Sequence, residues 1–260
     1  MTIFGKVFWD SIILGIVEGL TEFLPVSSTG HLILASDLLG IPSSEFLKSF
    51  EIAIQLGAIL AVVVLYWKSF LEIPVLKRIA AAFIPTGIIG LLLYPFAKAY
   101  LLENTLLVLW ALLLGGIALI VFELLHKEPE GAVQHVKDIT YTQSFIIGIA
   151  QAVAIIPGVS RSAATILGGL MLGVGRVAIV EFSFLLAVPV MIAATGLDLY
   201  KSAGAFNPGN FELLAVGFVV SFIVALGSIK FLLQYVRSHT FIPFGIYRIV
   251  LALFFLLVIL

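Results

Sequence analysis

The sequence predicts an all-α, multi-pass membrane protein, built as an inverted-topology repeat within a single domain of residues 1–260. Of its 260 residues, 62% are hydrophobic and only 11% are charged, and the mean hydropathy is +1.21. The apolar runs are continuous and about 20 residues long, as membrane-crossing helices require, whereas strands of a membrane barrel would alternate polar and apolar residues. The same order of elements also recurs in the two halves of the chain.

The first half, residues 1–125, begins with a predicted helical hairpin. A helix over 8–24 is broken by Pro25 and a Ser-Ser-Thr-Gly cluster, and a short helix follows over 29–39. Neither piece alone crosses a hydrocarbon core of about 30 Å, so we expect a re-entrant hairpin whose turn lies within the membrane. Three full spans are then predicted, at residues 46–67, 79–96 and 106–125.

The second half, residues 139–260, repeats this pattern after a polar connecting loop at 126–138. A helix over 143–156 is broken at Pro157-Gly158, and a short helix follows over 162–172. The predicted spans of this half are residues 177–199, 211–236 and 241–260. A gapless alignment of residues 15–34 with 148–167 contains six identities. Three spans per half is an odd number, so the second half enters from the opposite side, and such repeats form a site near the midplane from their broken helices.

Charge and composition exclude several classes of function. The net charge of −1 gives no basic face for nucleic acid, and the absence of cysteine excludes thiol chemistry and disulfides. No nucleotide-binding loop or zinc-spaced His/Cys cluster occurs in the sequence. The loops on one side of the predicted layout hold more Lys and Arg, which predicts that this side is cytoplasmic and that both termini face outward.

The first polar stretch, EGLTEFLPVSSTGH, covers residues 18–31. A charge at bilayer depth costs roughly 2.5–3.5 kcal/mol, so Glu18 and Glu22 are candidate functional residues. They lie four residues apart on one helix face, where two carboxylates repel unless a proton or a cation lies between them. The pattern indicates a divalent-metal site or an acid/base pair. The structural alternative is one interfacial and one protonated glutamate.

Hydroxyl residues open the short helix that follows Pro25. Ser27, Ser28 and Thr29 are typical helix caps, and the same helix end can bind an anion, so the two roles can coexist. His31 lies in the first turn of that helix, where an imidazole tends to stay neutral, which suits a base or a nucleophile. The alternative for His31 is a core histidine bonded to a carbonyl.

The second polar stretch, PGVSRSAAT, covers residues 157–165 at the corresponding turn of the second half. Arg161, between Ser160 and Ser162, is permanently charged and can bind phosphate oxygens with its planar fork. The alternative is a salt bridge from Arg161 to one of the two glutamates. Thr165 follows Arg161 by four residues and so lies on the same helix face, where it is a candidate helper hydroxyl. Weaker candidates are Glu51, Gln55, Glu181 and Arg248, the last as a partner of a carboxylate or of the ligand.

Together these groups suit a phosphate carried on a membrane lipid. Phosphoryl transfer needs charge stabilisation on the oxygens, an activated nucleophile and often a metal, and each requirement has candidates here. The main alternative is a lipid-phosphate transporter, or flippase, that uses the same midplane anion site. A membrane scaffold without a site would leave the cost of the buried charges unexplained.

The two polar stretches, EGLTEFLPVSSTGHL and PGVSRSAATI, resemble the signature stretches of the bacterial undecaprenyl-diphosphate phosphatases, the integral-membrane bacitracin-resistance family. EFSFLLAVP from Glu181 and the pair Tyr247–Arg248 are also similar to that family, and the resemblance extends over essentially the whole chain. It implies hydrolysis of undecaprenyl diphosphate to undecaprenyl phosphate and inorganic phosphate, which recycles the carrier lipid of peptidoglycan synthesis and supports cell shape and antibiotic resistance. It further implies the bacterial cytoplasmic (inner) membrane, with a site that opens toward the outer, periplasmic face.

The resemblance also implies a divalent cation, Mg²⁺ or Ca²⁺, and a homodimer. The family's functional residues fall here on Glu18, Glu22, Ser28, His31 and Arg161, with Ser160 and Thr165 in support. The two glutamates would bind the metal or orient water. The remaining hydroxyls of the two polar stretches, those of Ser27, Thr29 and Ser162, would help to bind phosphate. The nucleophile is open between Ser28, His31 and water.

Overall fold

The computed structural model describes residues 3–42, 44–101, 104–201 and 211–259. Within these ranges the chain is helical apart from its turns and an isolated bridge between Val133 and Val174, so the predicted all-α class is confirmed. The helices are α1 (Ile3–Thr21), α2 (Ser28–Leu39), α3 (Glu45–Leu65), α4 (Ile73–Tyr100), α5 (Thr105–Leu125), α6 (Tyr141–Ala152), α7 (Arg161–Met171), α8 (Arg176–Lys201), α9 (Phe211–Tyr235) and α10 (Ile242–Ile259).

Five of these helices, α3, α4, α5, α8 and α9, are long and apolar enough to cross a bilayer. The prediction of a multi-pass membrane protein is therefore confirmed. The sixth predicted span forms α10, whose apolar segment, Ile242–Leu257, is shorter than the other five. Helix α4 begins at Ile73, six residues before its predicted start at 79, because Pro74 fits a first helical turn and the polar pair Lys77-Arg78 continues the helix.

The first hairpin consists of α1 and α2, which pack against each other. Between them the chain turns at Pro25, and Ser27 adopts φ 73° and caps α2 by accepting a hydrogen bond from the N–H of Gly30. Helix α2 ends at Leu39 and is capped by Gly40, whose left-handed conformation (φ 64°) lets its N–H bond the carbonyls of the last turn. The broken helix predicted for this segment is present.

The second hairpin consists of α6 and α7, which also pack against each other. Helix α6 passes into a 3₁₀ turn at Val153–Ile155, and the chain then reverses at Gly158, where φ is 92°. Ser160 adopts φ 76° and caps α7 by accepting from the N–H of Ala163. The two hairpins thus turn with the same residue type in nearly the same backbone conformation, at positions that the gapless alignment pairs.

Each hairpin is held by a helix of the other half. Helix α1 packs against α9, α6 packs against α4, and the pairs α3–α8 and α5–α10 also cross between the halves. Glycines permit the close approach: a Cβ on Gly15 would lie 2.8 Å from the carbonyl oxygen of Gly217, and one on Gly148 would collide with that of Ala82. Small residues of this kind favour helix packing in lipid, where the hydrophobic effect between helices is absent. The two halves are therefore interlocked.

Candidate active site

The turns of the two hairpins meet through Arg161, the first residue of α7. Its Nη2 lies 3.2 Å from Oε1 of Glu22, and its Nη1 donates to the carbonyl oxygen of Ser183 on α8 at 3.0 Å. Beside it, the hydroxyl of Ser162 donates to the carbonyl oxygen of Phe23 at 2.8 Å. The salt bridge given above as the alternative role of Arg161 is thus present, and it brings the cation to the carboxylates of the first hairpin.

Glu22 also accepts a hydrogen bond from Ser28, the first residue of α2. The Ser28 Oγ lies 2.5 Å from Glu22 Oε2, and both residues are buried. Such a length is typical of a hydroxyl that donates to a charged carboxylate. Each oxygen of Glu22 therefore has its own partner, a hydroxyl on one side and a guanidinium on the other.

A cavity of about 680 Å³ opens where the two turns meet. The predicted site residues that line it are Glu22, Ser27, Ser28, Thr29, Ser160 and Arg161. Gln55, Thr86 and Gln151 add polar side chains, and α4 and α8 supply most of the apolar lining. The N-termini of α2 and α7 both reach this cavity, and the unpaired N–H groups of a helix N-terminus favour an anion.

Glu18 lies behind this lining, one helical turn before Glu22. It is fully buried, and neither carboxylate oxygen has a hydrogen-bond partner among the described residues. The charged groups that act on it are Glu22, Glu51 and Arg161. An unpaired carboxylate is costly in such a place, so Glu18 needs a proton, a cation or water. Its predicted role in metal binding stays a prediction.

His31 lies outside the cavity lining and is bonded to two partners. Its Nδ1 lies 2.7 Å from the carbonyl oxygen of Ser27, and its Nε2 lies 2.7 Å from the hydroxyl of Tyr247. Since a carbonyl only accepts, Nδ1 carries the proton, and in the neutral imidazole Nε2 then accepts from the tyrosine. This geometry matches the carbonyl-bonded alternative given above, and the base or nucleophile role stays a prediction.

Two predicted phosphate-binding hydroxyls also lie outside the lining. Ser162 and Thr165 are 1% and 0% exposed. The first donates to a backbone carbonyl, as described above, and Thr165 Oγ1 lies 3.0 Å from Oε1 of Gln151 and 2.8 Å from the carbonyl oxygen of Arg161. Thr165 thus contacts two residues that line the cavity, whereas the acceptor of Ser162 lies outside the lining.

Arg248 on α10 fastens the two turns together. It is fully buried, and its guanidinium donates to backbone carbonyl oxygens of both hairpin turns and of α5. The acceptors are Pro25, Gly158, Val159, Ala111 and Leu112, at 2.9–3.3 Å. No carboxylate of the described residues is among its partners. The sequence signal for this role is an arginine within an apolar span, which needs many acceptors, together with broken helices that leave carbonyls unpaired.

Comparison with known proteins identifies the family to which this chain belongs. Residues 11–254 match the family described as bacitracin resistance protein BacA. The chain belongs to this family. It is 54% identical over 248 residues to an undecaprenyl-diphosphatase of a Sulfurihydrogenibium strain, which covers 95% of this chain and 98% of that protein. It is 53% identical over 249 residues to the undecaprenyl-diphosphatase of Wolinella succinogenes, a match that covers 95% of this chain and 96% of that protein. It is 51% identical over 246 residues to the undecaprenyl-diphosphatase of Aquifex aeolicus, a match that covers 94% of this chain and 96% of that protein.

The BacA-family assignment confirms the resemblance inferred from the two polar stretches. Both stretches lie within the matched residues, and both contribute side chains to the cavity. A hydroxyl bonded to a carboxylate, next to a fixed cation and two helix N-termini, is chemically equipped for phosphoryl transfer.

Proposed function

We propose that this chain hydrolyses undecaprenyl diphosphate to undecaprenyl phosphate and inorganic phosphate. Relatives that are 51–54% identical over nearly their whole length bear the name of that activity. The observation that carries the proposal is the chain of contacts from Ser28 through Glu22 to Arg161, because it gives one cavity a nucleophile, a base and a cation.

Ser28 is the proposed nucleophile, and Glu22 is its base. Glu22 Oε2 takes the hydroxyl proton while Ser28 Oγ forms a bond to the terminal phosphorus. The bond from that phosphorus to the bridging oxygen breaks, and the oxygen leaves with the lipid as undecaprenyl phosphate. Water then attacks the phosphoserine, the bond from Oγ to phosphorus breaks, and the serine regains a proton. His31 is not assigned a role in this step, because the structure bonds its ring to Ser27 and Tyr247 and not to Ser28.

Charge on the transferred phosphoryl group requires fixed positive groups around it. Arg161 is suited to this role because it lines the cavity and its guanidinium forks onto phosphate oxygens. The hydroxyls of Ser27, Thr29 and Ser160 and the N-termini of α2 and α7 add donors at the same place. Donors that are already oriented stabilise the transition state without reorganisation.

The prenyl tail fits the apolar part of the cavity, along α4 and α8. The apolar lining there consists of Phe83, Gly87, Gly90, Leu91, Val190, Met191, Ala193, Ala194, Gly196 and Leu197. A Cβ on Gly90 or Gly196 would meet open space, so these positions leave room for a chain. Ligand sites are mostly apolar with a few placed polar groups, as this cavity is.

A divalent cation, Mg²⁺ or Ca²⁺, remains part of the proposal, and Glu18 and Glu22 are the residues that would hold it. The unpartnered oxygens of Glu18 suit a cation ligand. Within the described ranges no group of three or more His, Asp or Glu has the geometry of a metal site. Substrate phosphates and water would therefore complete the coordination, as is usual for Mg²⁺. When bound, the ion would neutralise charge on the phosphate oxygens.

The inverted repeat is supported by two features. If the helices of the two halves are exchanged in order, α1 with α6 through to α5 with α10, the contacts between the halves are preserved. The pair α1–α9 then becomes α6–α4, and the pairs α3–α8 and α5–α10 become themselves. The caps Ser27 and Ser160 share one unusual backbone conformation. We infer from this architecture a site near the midplane of the inner membrane, opening to the periplasmic face, in a protein that forms homodimers.

The test is phosphate release from purified protein in detergent, where no bilayer remains to be crossed. A transporter that only moved the lipid would release none. With the terminal phosphate labelled, a rapid acid quench of the wild type is expected to trap label on the protein.

Ser28→Ala is expected to lose on the order of a thousandfold or more in turnover and to trap no label. Ser36→Ala is the matched control, since Ser36 lies on the same helix, is buried and does not line the cavity. Turnover near the wild-type rate in Ser28→Ala would remove Ser28 from the mechanism. Full turnover without trapped label would favour direct attack by water.

A further inference from the structure

Gln151 holds an amide at the cavity that the proposed reaction does not use. It lies near the C-terminus of α6, is 2% exposed and lines the cavity. In the gapless alignment of the two halves it occupies the position of Glu18. The first half thus supplies a carboxylate at this position, and the second half supplies a neutral amide.

The hydrogen bonds around Gln151 fix which way its amide points. Thr86 Oγ1 lies 2.9 Å from the carbonyl oxygen of Ala82 and 2.8 Å from that of Gly148, so its single proton goes to one of these oxygens. Toward Gln151, 3.5 Å away, this hydroxyl can then only accept, and the amide nitrogen must face it. The amide oxygen therefore faces Thr165, whose hydroxyl lies 3.0 Å from it and 2.8 Å from the carbonyl oxygen of Arg161, so that its proton is shared between these two acceptors.

This assignment leaves one N–H of Gln151 without a protein acceptor among the described residues. The other N–H makes the long contact with Thr86, and the amide nitrogen has no other recorded partner in these parts of the chain. A buried donor without an acceptor costs about 1–3 kcal/mol, so the site favours a ligand that accepts. An amide N–H binds an anionic oxygen and does not bind a cation.

The position of Gln151 along the cavity selects one of the two phosphates of the substrate. The terminal phosphate belongs at Ser28. Gln151 instead contacts Thr86 on α4, and the lining of α4 continues from Thr86 through Gly87 and Gly90 as the apolar surface proposed for the tail. The group that joins the tail to the terminal phosphate is the phosphate that stays on the lipid. We propose, resting on the proposed function, that Gln151 binds this retained phosphate and that Thr165 and Thr86 position its amide.

The experiment measures equilibrium binding of a polyprenyl monophosphate, and of the polyprenol of the same length, to the purified full-length protein in nanodiscs. Gln151→Ala is expected to weaken binding of the monophosphate about tenfold, the loss of one hydrogen bond to a charged group, and to leave binding of the alcohol unchanged. Thr165→Val is expected to weaken monophosphate binding about threefold. Thr165→Ser keeps the hydroxyl and is expected to restore it.

An equal loss for the monophosphate and the alcohol would overturn the proposal, because it would indicate a general distortion of the cavity. Unchanged monophosphate binding in Gln151→Ala would also overturn it. If Gln151→Ala does not fold, unchanged affinity in Thr165→Val has the same meaning. Because binding needs no turnover, a wild type that releases no phosphate would contradict the proposed function and leave this test intact.

Discussion

At the scale of single residues, two arginines lie where the hairpin turns meet, and their contacts differ. Arg161 is partly exposed to the cavity and bonded to Glu22, so it can exchange that contact for a phosphate oxygen. Arg248 is fully buried and bonded to carbonyls of both turns. The first arrangement is typical of a binding group, and the second is typical of a structural one.

Substitution of these two arginines should separate activity from stability. Arg161→Ala is expected to abolish phosphate release while the protein stays folded. Arg248→Met leaves the turn carbonyls of Pro25, Gly158 and Val159 without this donor, each at about 1–3 kcal/mol, so the Tm is expected to fall by at least about 5 °C. Tryptophan fluorescence during heating in detergent measures the Tm.

Arg237→Met is the control for the second variant, since Arg237 is exposed near the end of α9. It is expected to keep the wild-type Tm. An Arg248→Met protein as stable as the wild type would show that the turns are held by other contacts. Wild-type turnover in Arg161→Ala would exclude Arg161 from the phosphate site.

At the scale of elements, both hairpins carry strain at the residue that precedes and caps the second helix. Ser27 and Ser160 have φ near 75°, a region that non-glycine residues rarely occupy and that costs of order 1–3 kcal/mol. Each serine recovers part of this cost by capping the next helix. The strained geometry turns both helix N-termini toward the same cavity, which is why it occurs twice.

The packing of α6 against α4 depends on a glycine, and this dependence can be tested. In Gly148→Ala the new Cβ would collide with the backbone carbonyl of Ala82, which cannot move as a side-chain tip could. The helices must then separate, and we expect a lower Tm and lower activity, at a cost of about 1–3 kcal/mol.

Gly227→Ala is the matched control, because a Cβ there would meet nothing within 4 Å and alanine favours a helix by up to about 1 kcal/mol. Its Tm should be unchanged or higher. A similar fall in Tm for both variants would mean that any glycine substitution destabilises these helices, and the specific contact with α4 would lose its support.

At the scale of the whole molecule, the sequence predicted what depends on local pattern. The broken helices followed from Pro25 and Pro157-Gly158, and the contact of Arg161 with Glu22 followed from the need of buried charges for partners. An arginine within an apolar span signals a need for acceptors, but which carbonyls Arg248 would bond could not be predicted, because only the tertiary fold brings them together. The same holds for Gln151, an uncharged residue whose significance depends on the two threonines around it.

The number of membrane crossings between the first hairpin and the central loop decides whether the repeat is inverted. Three long apolar helices, α3, α4 and α5, separate Asp37 at the end of α2 from Glu130 in the loop. Three crossings put the two residues on opposite faces. Both side chains are exposed, and the chain contains no cysteine, so Asp37→Cys and Glu130→Cys each introduce a unique reporter.

With a membrane-impermeant maleimide, we expect Asp37→Cys to react in intact spheroplasts and Glu130→Cys to react only after lysis. The cysteine-free parent controls for background, and phosphate release by each variant controls for folding. Reaction of both from one side would require an even number of crossings and would contradict the inverted repeat. If instead Glu130→Cys reacts in intact spheroplasts and Asp37→Cys reacts only after lysis, the inverted repeat is kept. The orientation predicted from the excess of Lys and Arg would then be wrong, and the site would open to the cytoplasm.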